Sequence, residues 1–94
     1  MSTINKSLLD QMITSITTHF YSVKIEKSNQ NTDWEYGKVI AKSEKVDLFV
    51  DYSIDDDYFK VVTTIDGKET EQRFENLFFM VAEIINIIAN NLCD

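Results

Sequence analysis

VDLFVDYSIDDDYFKVVTTIDG, residues 46–67, decides the fold. Val46, Leu48, Val50, Tyr52 and Ile54 place apolar side chains at every second position, and Asp47 and Asp51 fall between them. Period two with polar alternates marks a strand buried on one face. Asp55-Asp56-Asp57 reads as the turn that follows, because aspartate side chains hydrogen-bond nearby backbone amides. Phe59, Val61, Thr63 and Ile65 repeat the alternation. Asp66-Gly67 then suits a type I′ hairpin turn, in which both central residues need positive φ.

The same pattern extends in both directions. Lys68 to Phe74 reads as a short returning strand whose Lys68, Glu69, Glu71 and Arg73 protect a sheet edge. Upstream, Trp34, Tyr36 and Ile40 share one phase of a further strand, with Gly37 in the other. Tyr21, Val23 and Ile25 alternate with Ser22, Lys24 and Glu26, and a polar, Asn-rich loop at Ser28 to Thr32 separates these two segments. The ends switch to helical spacing. Leu8, Leu9, Met12, Ile13, Ile16 and Phe20 make one stripe, with Ser2, Thr3 and Asn5 as candidate N-caps. Asn76 is a candidate N-cap for a last helix. The expected fold class is α+β: an N-terminal helix, an antiparallel meander of four to five strands and a C-terminal helix, both helices on one face of the sheet. Ninety-four residues fit one such domain, spanning 1–94.

The last helix has more apolar surface than one sheet contact needs. Leu77, Phe78, Val81, Ile84, Ile85, Ile88 and Leu92 form a central face, flanked by Met80 and Ile87 on one side and Ala82 and Ala89 on the other. Phe79 falls on the polar side, beside Glu83, Asn86 and Asn90. Phe79, Met80 and Ile87 are therefore the candidate residues of a homodimer interface.

Nine Lys and Arg against sixteen Asp and Glu give a net charge of −7. That argues against direct nucleic-acid binding and against anionic membranes, and it favours a basic protein partner. The acidity is concentrated between Glu44 and Asp57. Asp47, Asp51, Asp55, Asp56 and Asp57, with Phe49 and Tyr58 as contact area, form the candidate partner-binding patch.

No catalytic residues, cofactor or metal site are expected. His19 is the only histidine, and Cys93, the only cysteine, has no histidine or basic residue near it in sequence. Gly37 and Gly67 stand apart, so there is no phosphate-cradling loop. The aspartate run lacks the glycine and terminal glutamate of a calcium loop. The first twenty residues lack the charge and apolar pattern of a signal peptide, and a lone cysteine suits a reducing compartment; a cytoplasmic protein is the expectation.

In size, acidity and helix–meander–helix layout the chain resembles two groups: small phage proteins that disable host nucleases, anti-CRISPR inhibitors among them, and bacterial immunity proteins that neutralise toxins. The resemblance implies an inhibitor that occupies the basic, nucleic-acid-binding surface of its target. The alternative is a homodimeric adaptor, similar to the small acidic secretion chaperones, that binds partners through apolar helix surface.

Overall fold

The computed structural model describes residues 2–93. The chain runs α1 (Thr3–His19), β1 (Ser22–Ser28), β2 (Tyr36–Lys42), β3 (Val46–Ser53), β4 (Tyr58–Ile65), β5 (Lys68–Phe74) and α2 (Leu77–Asn91). The strands pair in sequence order as one antiparallel sheet, so each strand is hydrogen-bonded only to its neighbours in the chain. The expected meander is present, with five strands.

Both helices begin on a side-chain cap. The Ser2 hydroxyl accepts from the Asn5 N–H, and the Asn76 side chain accepts from the Phe79 N–H at 3.0 Å. The threonines that lower the helix propensity of α1 return their hydroxyls to its own backbone: Thr17 donates to Ile13 O and Thr18 to Thr14 O. Asp66 and Gly67 both have positive φ, 53° and 79°, as a type I′ turn requires. The β3–β4 turn closes with Asp57 at φ 48° and a 3.0 Å bond from the Ser53 hydroxyl to Asp56 Oδ2.

One face of the sheet is the core. Val39 and Ala41, Val46, Leu48, Val50 and Tyr52, and Phe59 and Val61 all point to it and are buried. Leu9, Met12 and Ile16 cover it from α1, and Leu77, Met80, Val81, Ile84, Ile87 and Ile88 from α2. The helices pack side by side, α1 reaching β1 and α2 lying over β4 and β5. Among the described residues no helix lies on the other face of the sheet. Phe20, just past the end of α1, turns inward and is also buried.

Gly37 lies directly across from Tyr52 in the sheet. A Cβ at Gly37 would collide with the Glu26 carbonyl and press on the Tyr52 hydroxyl, so only glycine lets β1 and this tyrosine approach so closely.

The two sides of α2 make opposite predictions. Ile84 is fully buried, and Ile84→Ala is expected to cost about 2–5 kcal/mol in a denaturant titration. Phe78 is 59% exposed, and Phe78→Ala is expected to cost less than about 1 kcal/mol in the same titration.

Candidate functional site

The open face of the sheet is ordered in rows set by strand register. Lys24, Ile40, Phe49, Val62 and Glu71 lie side by side across the five strands, and Glu26, Lys38, Asp51, Lys60 and Arg73 form the adjacent row. On the other side of the apolar row, Lys42 stands opposite Asp47. Asp51 is thus flanked by Lys38 and Lys60, and the Lys60 ammonium also lies over the Phe49 ring at 5.7 Å. The Lys60 ammonium is 3.9 Å from Glu71, which also faces Arg73. Asp47, Phe49 and Asp51 share this face as the alternation implies. They do not make it negative, because lysines on neighbouring strands stand beside the aspartates.

The uncompensated acidity sits at the end of the sheet. Asp55, Asp56 and Asp57 are exposed on the β3–β4 turn. The Ile54 N–H donates to the Glu35 carbonyl at 3.0 Å, which ties this turn to the loop entering β2. That loop carries Trp34, 63% exposed, and leads into Tyr36, 50% exposed. Tyr58 begins β4 at the same end, opposite Ser53, with the Arg73 guanidinium 5.5 Å from its ring. Trp34 and Tyr36 were not part of the expected patch. Their shared phase with Ile40 was visible in sequence, but nothing there separated a surface phase from a core phase.

Glu35, between these two aromatics, points the other way and is buried. Its Oε2 accepts from the Tyr52 hydroxyl at 2.7 Å and its Oε1 from the Asn31 N–H at 2.8 Å. Asn29 and Asn31, both with positive φ, shape the loop around it. The carboxylate anchors the β1–β2 loop to the core and so holds Trp34 and Tyr36 in place.

The helical layer differs from expectation at two of three positions. Met80 and Ile87 are buried in the monomer's own core, so they offer no outer surface for a dimer. Phe79 is exposed and stacks edge-on against Phe78, with ring centroids 5.9 Å apart. The large apolar side chains of α2 that are exposed are Phe78, Phe79 and Ile85. Phe78 and Ile85 line a shallow groove with Leu8 and Gln11 of α1.

The structure also brings together two residues 74 positions apart: Cys93 Sγ lies 3.5 Å from His19 Nε2. His19 Nδ1 bonds the Ser15 carbonyl, which can only accept, so Nδ1 is the donor of that bond. Both side chains are exposed, and the pair joins the ends of the two helices rather than lining a cleft. Among the described residues no group of three or more His, Cys, Asp or Glu side chains could hold a metal ion. No helix among them is long and apolar enough to cross a membrane.

Burial, the hydrogen bond to Glu35 and repulsion from its charge together push the Tyr52 hydroxyl far above the ordinary tyrosine range. The folded state therefore keeps a proton that the unfolded chain releases near pH 10, and stability is full below that pH and falls above it. This contribution has a slope of at most about 1.4 kcal/mol per pH unit. Tyr52→Phe is expected to remove that slope in alkaline denaturant titrations. It is also expected to cost about 1–3 kcal/mol at neutral pH, because Glu35 Oε2 loses its buried donor.

No protein-family model matches the chain, and neither a curated protein nor a solved structure matches it.

Proposed function

We propose that this chain is a non-catalytic protein-binding domain that docks its acidic, aromatic end on a basic surface of another protein. The observation that carries this reading is the exposed run Asp55–Asp57 on a turn bonded to the loop of Trp34 and Tyr36. Carboxylates on a short turn can take the paired N–H groups of arginine, and tryptophan and tyrosine are the side chains that most often anchor interfaces. A target whose basic surface normally holds nucleic-acid phosphates fits such an end, and covering that surface would inhibit it. The net charge of −7 would speed the encounter at low ionic strength. This is the inhibitor reading implied by the resemblance to anti-CRISPR and immunity proteins, with the acidic part of the working surface narrowed from Asp47, Asp51 and Asp55–Asp57 to the turn alone.

A second reading has one observation in its favour. Phe78, Phe79 and Ile85 are exposed beside a groove between the helices, which suits an adaptor that takes an apolar helix or strand of its partner.

Affinity capture from host extract at low and high salt separates the two. On the first reading, a target is retained at low salt, released at high salt, and lost with Asp55→Asn, Asp56→Asn and Asp57→Asn combined, or with Trp34→Ala. If the triple variant retains the same target at wild-type strength, the acidic end is not the binding surface. A target held through high salt and lost with Phe78→Asp supports the adaptor instead.

A further inference from the structure

We infer that the open face of the sheet is the contact between two copies of this chain, related by a two-fold axis parallel to the strands along the β2–β3 boundary. Three observations lead there.

The first is charge. Five basic and five acidic side chains stand on this face, so the whole net charge of −7 belongs to the rest of the chain. Two copies meeting at the strongly acidic sheet end would repel each other, and this face lets them approach without that cost. A strongly basic protein, by contrast, has nothing to gain here over the acidic end. The second is composition. A band of Ile40, Phe49 and Val62 runs across the middle with charge on both sides, and Ile40 remains 42% exposed. An apolar centre with a polar rim is the anatomy of a protein interface.

The third is register, which selects the geometry. Within the chain, Lys38 stands opposite Asp51, Ile40 opposite Phe49, and Lys42 opposite Asp47. A two-fold axis parallel to the strands preserves position along them. Placed between β2 and β3, it sets β2 of one copy over β3 of the other. Lys38 then faces the second copy's Asp51, Lys42 its Asp47, and Ile40 its Phe49. One strand further out, β1 lies over the second copy's β4 and Glu26 faces Lys60. Lys38 and Lys42 each have an aspartate beside them in their own sheet and another above, a checkerboard of alternating charge around an apolar strip. The alternatives fail on the same residues. An axis over β3 itself sets Asp51 against Asp51. An axis across the strands, centred on the apolar row, sets Lys38 against Lys42 and Asp47 against Asp51. Two sheets stacked face to face about 10 Å apart accommodate the favoured arrangement.

Sedimentation equilibrium at high micromolar concentration tests it with paired charge reversals. Wild type is expected at twice the chain mass. Lys38→Asp with Lys42→Asp, and separately Asp47→Lys with Asp51→Lys, are each expected to lose the dimer, because both contacts become repulsive. An equimolar mixture of the two double variants is expected to recover it as a heterodimer, since every pair across the axis is again of opposite sign. Recovery also shows that both variants are folded. Phe79→Asp is expected to leave the wild-type dimer intact. A monomeric wild type, a mixture that stays monomeric, or a dimer lost with Phe79→Asp overturns the assignment. None of these variants touches Asp55–Asp57, so target binding through the sheet end stands or falls on its own experiment.

Discussion

A five-stranded sheet has two faces, and α1 and α2 both cover the same one. The dependence of the structure on this one-sided burial is direct. Period-two alternation in β2, β3 and β4 sends Val39, Val50 and Val61 under the helices and leaves Ile40, Phe49 and Val62 on the other side. Wherever the helical side takes a side chain, the open side receives its neighbour. The composition of the open face is therefore constrained by the same register that builds the core, and its charged rows follow from which residues alternate with the buried ones.

The small size of the core makes its few polar features consequential. Glu35 is a buried carboxylate, and it is tolerated because a hydroxyl and a backbone amide both donate to it. Tyr52 can reach it only because Gly37 leaves the space. These three residues connect the β1–β2 loop to the centre of the sheet, and the position of the exposed aromatics at that end depends on them.

The strands and helices were legible because each rests on local periodicity. Residues 46–67 carry two strands and two turns whose residue types state their own conformations, down to the positive φ of Asp66 and Gly67. What could not be read depends on neighbours that sequence does not place. Counting charges along the chain made Glu44 to Asp57 look like an acidic patch. On the sheet, Lys38 and Lys60 on adjacent strands stand on either side of Asp51, and only the turn keeps its full charge. A helical wheel located the apolar arc of α2 but not its orientation, so Met80 and Ile87 were assigned outward and Phe78 and Ile85 inward, where the packing has the reverse. His19 and Cys93 meet only because the two helices lie side by side.

The element order has a consequence for how the chain is made. Every strand pairs with the one just before it, so the meander can assemble progressively as it is synthesised, by the short-range closures that favour rapid folding. The helical layer cannot. α1 emerges first, but the layer it belongs to is completed only by α2, the last element. Without residues 77–91, the inner sides of β4 and α1 lack their cover. Docking of α2 is therefore the event that closes the core, and any state lacking it exposes the apolar side of the sheet.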